Sequence, residues 1–332
     1  LGLSRRMNTP SARIAVVIPC FRVREQVLDV IAAIGPEVGW IFAVDDACPE
    51  HSGRWIEEHC RDPRVKVLRH EVNQGVGGAV MTGYRAALET AAEVIVKIDG
   101  DGQMDPALLP RFAAPLLAGL ADYAKGNRFH RIGFVRRMPW VRLFGNAVLS
   151  FLTKLSSGYW QIADPTNGYT AIRRELVAEL ELDRVSRRYF FESDLLYHLY
   201  EVGAVVADVP MVARYEGEPS SLRPMRVIGP FLLGHLRNTA RRVLYDYFVR
   251  GFSVASVELV LGAVLWLWGA GYGTWQWLES IRSGTPATAG TVMLAALPII
   301  LGSQMLLSWL NFDVNAEPRM PVHPRLKARS GQ

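Results

Sequence analysis

The residues best suited to chemistry lie in one run, Val94-Ile-Val-Lys-Ile-Asp99-Gly-Asp101-Gly-Gln103-Met-Asp105-Pro106. An apolar, β-branched stretch ends there in two aspartates one residue apart, then a glutamine and a helix-starting Asp-Pro. In an open α/β sheet, ligands gather outside the carboxyl ends of the strands. Two carboxylates at such an edge are costly unless a cation or a donor compensates them. Magnesium or manganese bridging a diphosphate does this, because hard cations take oxygen ligands. A polar turn would explain either aspartate alone; the pair with Gln103 points to metal–diphosphate binding.

Three further blocks end in polar groups. Ile18-Pro19-Cys20-Phe21-Arg22, with Glu25 close behind, offers a ledge for a base or ribose, or simply a turn. Val44-Asp45-Asp46-Ala47 places acidic acceptors at another strand end. They could take a base N–H or ribose hydroxyl, or cap a helix. Asn73-Gln74-Gly75-Val76-Gly77-Gly78 opens a helix, where glycines admit a close backbone or ligand and the helix N-terminus favours anions. The GxGxxG spacing is broken at Val80 and GxxxxGK[ST] is absent, which excludes a Rossmann dehydrogenase and a P-loop NTPase.

The elements that must position these residues alternate. Strand candidates Ile14–Ile18, Ile41–Val44, Val65–Leu68 and Val94–Ile98 are separated by helix candidates near Glu25–Ile34, Gly53–His59, Val76–Ala91 and Pro106–Leu117. That alternation predicts βαβ units and a mostly parallel sheet. In a chain of 332 residues with net charge +5, the charge matters only where it concentrates. The three cysteines form no CxxC pair, which fits a reducing compartment and no thiolate metal site. Arg5 and Arg6 are followed by no apolar h-region, so no cleavable signal is expected, and Met7 reads as the native start.

With the four blocks in order, residues 12 to 225 resemble the GT-A glycosyltransferases of family 2, and among them the polyprenyl-phosphate sugar transferases of the dolichyl-phosphate mannose synthase type. The fold class expected is α/β: the resemblance implies a GT-A nucleotide-sugar-binding domain with a mostly parallel sheet, and the composition after residue 225 adds amphipathic interfacial helices and two transmembrane helices. It implies that Pro19, Phe21, Glu25, Asp46, Asn73 and Gly75 hold the nucleotide sugar, and that Asp99, Asp101 and Gln103 hold Mg2+ or Mn2+ on its diphosphate. Arg22-Val-Arg24 and Cys48-Pro-Glu50 stand where Asn-Glu and Ser-x-Asp are commoner in the family, which leaves the choice of base open.

Downstream, Lys125-Gly126-Asn127-Arg128 is similar to the family's Gly-Ser-Arg block. Arg131, Arg136, Arg137 and Arg142 follow among Phe129, Phe134, Met138, Trp140 and Phe144. Arginine's fork matches phosphate geometry, and the resemblance assigns Arg128 first and Arg142 second to the acceptor phosphate. Asp164-Pro-Thr-Asn167-Gly168-Tyr169 looks like the block lining the donor sugar, which assigns Asp164 there; a β-turn is the alternative. Glu192 and Asp194 are acids in an otherwise apolar helix, so one of them is expected to face the acceptor. Arg214 belongs to a loop similar to the family's Arg-x-x-Gly-x-Ser-Lys, with the lysine missing, and is expected to stabilise the leaving nucleotide.

Leu259 to Leu278 carries no charge, nor does a second run from about Ala287 to Phe312. Each is long enough to cross a bilayer, which takes about 20 residues. The expected organisation is a tail over 1–12, the GT-A domain over 13–224, amphipathic interfacial helices over 225–250, a transmembrane hairpin over 251–312 and a tail over 313–332. Arg237, Arg241, Arg242 and Arg250 precede the first span, and Arg319, Arg325, Lys327 and Arg329 follow the second. The positive-inside rule then places both termini and the catalytic domain in the cytoplasm.

The reaction expected is transfer of a hexose, mannose or glucose, from a GDP- or UDP-sugar to a polyprenyl phosphate, with the inversion at the anomeric carbon that the resemblance implies. The partners are thus a nucleotide sugar of the GDP-mannose or UDP-glucose class, a lipid phosphate and the bilayer, with no nucleic acid. A hydroxyl acceptor would need a base, and Asp194 is the candidate, joining Asp101 and Arg128 as catalytic residues. A catalytically silent nucleotide-sugar sensor is the remaining alternative. Monomer and homo-oligomer are both compatible with the sequence, since no small-xxx-small pattern compels assembly.

Overall fold

In the computed structural model, which describes residues 13–130, 140–212 and 224–330, each apolar run of the first hundred residues is a strand. These are β1 (Ile14–Cys20), β2 (Val38–Asp45), β3 (Val65–Arg69) and β4 (Val94–Lys97), alternating with α1 (Val27–Ala32), α2 (Ser52–His59) and α3 (Val76–Leu88). A short 3-10 turn, Pro106–Leu108, leads into α4 (Leu109–Leu117), and Asp105 caps it by accepting from Ala107 N–H at 3.0 Å. Then come β5 (Tyr123–Asn127), α5 (Trp140–Ser157), β6 (Thr170–Arg173), α6 (Arg174–Glu179), α7 (Phe191–Glu201) and β7 (Val206–Pro210).

The seven strands form one sheet in the order β3-β2-β1-β4-β6-β5-β7. β1 to β4 pair in parallel, whereas β6 runs antiparallel to both β4 and β5. This reversal positions the site: the amino end of β6 lies at the edge where β1, β2, β4 and β5 end. Alternate β1 residues feed opposite faces, Ala15 and Val17 one core and Ile14, Val16 and Ile18 the other. Both faces are covered, which is why these strands read as continuous apolar runs rather than alternating ones.

The chain divides into two compact units, Leu1–Asn238 with Pro318–Gln332, and Thr239–Glu317. In the first, α8 (Pro224–Leu244) begins; Asn238 donates to Asp194 Oδ1 at 2.6 Å, and His235 Nδ1 lies 2.8 Å from Ser156 Oγ. Burial pushes the His235 imidazole down to about 4. Because that value lies below the ordinary 6.5, His235 contributes stability that is complete above pH 6.5 and lost as pH falls toward 4. Thermal unfolding in detergent should show this acid loss, and a smaller one in His235→Gln.

The last helix of this unit, α11 (His323–Ser330), lies within the stretch the sequence reads as a tail. Its start compensates a buried carboxylate: Asp122 accepts from Val322 N–H at 2.8 Å and His323 N–H at 3.0 Å, with His323 Nδ1 at 2.7 Å. Leu326 is buried in the same core as α3 and α7, and Lys327 pairs with Glu175 at 3.1 Å.

In the second unit, a π-helical segment, Tyr245–Arg250, leads to α9 (Val254–Ser283) and α10 (Ala289–Asn315). These two are long and apolar enough to cross a membrane. Only 22% and 6% of their most apolar windows is buried, whereas the core helix of a soluble domain would be mostly covered. The helices approach closely through glycine: a Cβ on Gly302 would meet Gly262 O at 2.7 Å, and one on Gly269 would meet Ala295 O at 2.7 Å. Small residues thus serve the hairpin's own packing. Arg242 donates two bonds to Asp313, at 2.6 and 2.9 Å, and Tyr247 OH adds a third at 2.7 Å. Glu258 accepts from Ser308 at 2.9 Å.

Candidate functional site

Strand ends supply the site's backbone, and two are strained. Arg22 and Ala47, just past β1 and β2, hold φ at +59° and +51° without being glycine, a conformation kept only where surrounding structure enforces it. Pro19 is half-buried, while Phe21 and Glu25 are exposed. The Arg22 guanidinium lies 5.5 Å from the Phe21 ring centre, and that of Arg24 lies 4.1 Å from that of Trp55.

Asp46, Asn73 and Gly75 come together. Asp46 accepts from Gln74 N–H and Gly75 N–H, both at 2.8 Å, and lies 2.7 Å from His70 Nδ1. Asn73 donates to Asp46 O at 3.0 Å. Asp45 likewise accepts from Cys48 N–H and Gly53 N–H at 2.8 Å. The glycines opening α3 admit a backbone: Gly78 N–H donates to Arg187 O at 3.1 Å, and a Cβ on Gly77 would sit 2.4 Å from Ser186 O. The turn therefore already carries a protein carboxylate and a protein carbonyl.

At the end of β4, Asp99 and Asp101 are half-buried on the turn, as is Gln103, whose N–H donates to Asp101 Oδ1 at 3.0 Å. Behind them is a charge cluster that motif reading missed. Lys97, buried in β4, places Nζ 2.6 Å from Asp99 Oδ1 and 3.8 Å from Glu192 Oε1. Burial would lower its pKa, but Asp99, Glu192 and Asp101 outweigh it and hold the ammonium above the usual lysine range. Burial pushes Glu192 up, against the pull of Lys97 and Lys125. Lys125, fully buried in β5, donates to Asn167 O at 2.6 Å, and burial pushes it down to about 8. The signal for both lysines was present: an ionisable residue inside an apolar strand is buried only with a partner.

Arg128 and Asp164 meet as a bidentate pair. Nε lies 2.6 Å from Oδ2 and Nη2 2.9 Å from Oδ1, and the Arg128 N–H adds a third contact at 3.2 Å. Asp164 is fully buried, and Asn167 Nδ2 approaches it at 3.3 Å. These residues reach the β4 edge because β6 runs back toward it. A Cβ on Gly168 would lie 2.5 Å from Lys97 Nζ and 2.9 Å from Asp99 Oδ2. Gly168→Ala should accordingly displace that pair, weakening binding of a divalent ion or of donor by about tenfold, ~1.4 kcal/mol, as titration calorimetry would read.

Of the two acids on α7, Glu192 is the one facing the cluster. Asp194 accepts from Ser186 N–H at 2.7 Å and from Asn238. Arg131, Arg136, Arg137 and Arg214 lie outside the described residues, as does the side chain of Arg142.

The comparisons with known proteins agree with this layout. The profile described as Glycosyl transferase family 2 matches residues 15–181. Polyprenol monophosphomannose synthase of Mycolicibacterium smegmatis is 33% identical over 208 residues, 61% of this chain and 77% of that one. Undecaprenyl-phosphate mannosyltransferase of Micrococcus luteus is 31% identical over 54% of this chain and 74% of its own. Among solved structures, glucosyl-3-phosphoglycerate synthase of Mycobacterium tuberculosis superposes with a TM-score of 0.53 at 19% identity, covering 69% of this chain and 81% of that one; this likeness speaks for the fold alone. Since the profile spans the very strands that carry Asp46, Asp99 and Arg128 to one edge, the chain belongs to glycosyl transferase family 2.

Proposed function

We propose that the protein transfers a hexose, mannose or glucose, from a GDP- or UDP-sugar to the phosphate of a polyprenol at the cytoplasmic membrane face, with inversion at the anomeric carbon. The observation that carries this reading is the Asp99/Asp101 pair, backed by buried Lys97, at the strand edge of a chain that also holds two membrane-length helices. Relatives named for polyprenol and undecaprenyl-phosphate mannose transfer support the acceptor class.

Among the described residues no three His, Cys, Asp or Glu side chains gather around one point. A pair of carboxylates suits Mg2+ or Mn2+, which are bound through one or two such groups, water and substrate phosphates. Asp99 and Asp101 would hold the ion, with Gln103 beside them, and the chemistry it supplies is neutralisation of the diphosphate. A related fold was crystallised with Mn2+ and UDP.

The acceptor sets a modest chemical task. A phosphate monoester has its second pKa near ~6, so at neutral pH it attacks without a general base. Its oxygen bonds to the anomeric carbon as the bond from that carbon to the diphosphate oxygen breaks, and the electron pair leaves with the nucleoside diphosphate. The protein must align two anions and offset their charge. Lys97, with Nζ 2.6 Å from Asp99 Oδ1, orients that carboxylate. Arg128, fixed by Asp164, presents its guanidinium at the end of β5, and Arg142 and Arg214 are assigned to the acceptor phosphate and the leaving nucleotide. Pro19, Phe21 and Glu25 are assigned to the nucleoside, and the Asp46–Asn73–Gly75 turn shapes that edge. A hydroxyl acceptor gains no support from Asp194, whose oxygens already accept from Ser186 and Asn238.

The residues before α9 and after α10 belong to one compact unit, which supports a hairpin whose two ends share a membrane face; the flanking arginines select the cytoplasm. The test is transfer of radiolabelled sugar in membranes. Label in a mild-acid-labile lipid is the expected result. Label in an acid-stable product would replace the phosphate acceptor with a hydroxyl, and binding without transfer would make the protein a sensor.

A further inference from the structure

The turn that opens α3 cannot cap itself. Gly75 stands at the N-cap position with φ at +88° and brings no side chain, while the first N–H groups of a helix have no partner within it. Two other parts of the chain supply acceptors. Asp46 takes the Gly75 N–H, and the Arg187 carbonyl takes the Gly78 N–H at 3.1 Å. That carbonyl belongs to the loop between the 3-10 turn Leu182–Arg184 and α7. The loop lies against the glycine itself, since a Cβ on Gly75 would stand 2.6 Å from Arg187 O.

Asp194 ties this loop down. From the first turn of α7 one of its oxygens reaches back to the Ser186 N–H at 2.7 Å, and the other accepts from Asn238 Nδ2 of α8 at 2.6 Å. The residue is 1% exposed. A carboxylate so deeply buried is kept only where donors compensate it, and its bonds are roughly twice as strong as neutral ones. Exposed Arg237 lies 3.9 Å from the oxygen that Asn238 serves. The far end of the loop also rests on α8: Phe190 meets Phe231 and His235 edge-on, with ring centres 5.5 and 4.9 Å apart, and a Cβ on Gly234 would lie 2.7 Å from its ring.

We infer that Asp194 is a positioning residue of the donor site, which holds the Ser186–Arg187 backbone on the Asn73–Gly78 turn and joins that turn to α8 through Asn238. The first turn of α7 then serves the strand edge twice. Glu192 faces Lys97 behind Asp99, and Asp194 fixes the loop that completes the start of α3. The assignment of this turn to the donor rests on the proposed function.

The test uses the full chain in detergent micelles. Asn238→Ala removes the donor on α8 and leaves the Ser186 bond; Asp194→Asn turns an amide group toward one of the two donors. In each, amide hydrogen exchange over residues 74–79 should quicken about tenfold, the ratio for one lost hydrogen bond to a charged group, while β1 and β2 stay protected. In Asp194→Asn/Asn238→Asp the bond between the two positions runs the opposite way and the Ser186 bond remains, so exchange should return toward that of the unaltered protein. Exchange over 74–79 that is unchanged in both single variants, or that rises equally across the sheet, would overturn the inference, as would a double variant as fast as the single ones.

A second arm reads the donor. Titration calorimetry with UDP or GDP and Mn2+ should show about tenfold weaker binding by Asn238→Ala. Transfer kinetics should show the KM for the sugar nucleotide raised by a similar factor, with kcat and the KM for polyprenyl phosphate close to those of the unaltered protein. A lowered kcat at unchanged donor KM would overturn the catalytic consequence. If the unaltered chain binds neither nucleotide, the proposed function falls, and the exchange comparison still decides what Asp194 holds in place.

Discussion

Asp101→Asn is expected to reduce sugar transfer by about two to three orders of magnitude, the usual cost of removing one preorganised electrostatic contact to a transition state. The substitution is nearly isosteric. Asp101 Oδ1 accepts from Gln103 N–H at 3.0 Å, and an asparagine oxygen accepts the same bond, so the turn survives. What is lost is one negative charge of the pair assigned to the divalent ion. Unfolding temperature should therefore stay close to that of the unaltered protein while the rate collapses, and higher Mn2+ or Mg2+ should recover part of it. A variant with undiminished rate at low metal concentration would remove Asp101 from the site.

Lys97→Met should act on stability and activity together. It leaves Asp99 and Glu192 facing one another without the ammonium that lies 2.6 and 3.8 Å from them. Removing one member of a buried ionic group costs about 3–5 kcal/mol, because the charges left behind are uncompensated. Neutralising the second charge should relieve much of this: Lys97→Met/Glu192→Gln is expected to melt well above Lys97→Met alone, a coupling that a double-mutant cycle measures. Activity should not return with stability, since Asp99 still lacks its partner, and Lys97→Arg should restore part of both. A double variant as unstable as the single one would mean that Lys97 and Glu192 do not interact.

The framework of the catalytic unit was legible because the strand runs are short, β-branched and closed by turn residues. The expected run Ile14–Ile18 became β1, and Val94–Ile98 became β4 with Asp99 just past its end. The reversed β6 was not legible: Thr170-Ala-Ile-Arg173 is four residues long, and nothing in so short a run tells parallel from antiparallel pairing. That one reversal brings Asp164 to Arg128. Motif reading took the two separately, one for the donor sugar and one for the acceptor phosphate, because pairing across 36 residues leaves no local trace. The Asn73–Gly75 turn shows the converse case. Its glycines were read as an opening for a backbone or a ligand, and the structure fills it with the Ser186–Arg187 backbone and the Asp46 side chain.

The contact between Asp122 and His323 sets an order of assembly. These residues stand 201 positions apart, and both membrane-length helices are synthesised between them. Until Val322 and His323 leave the ribosome, the partner of the Asp122 carboxylate among the described residues is the Val205 N–H, at 2.9 Å. The strand that leads into Arg128 is thus completed by residues made after the hairpin is available for insertion. A chain stalled before that point would carry Asp46, Asp99 and Arg128 on a sheet whose β5 is preceded by a carboxylate still short of two N–H donors, so completion of that edge follows synthesis of both membrane-length helices.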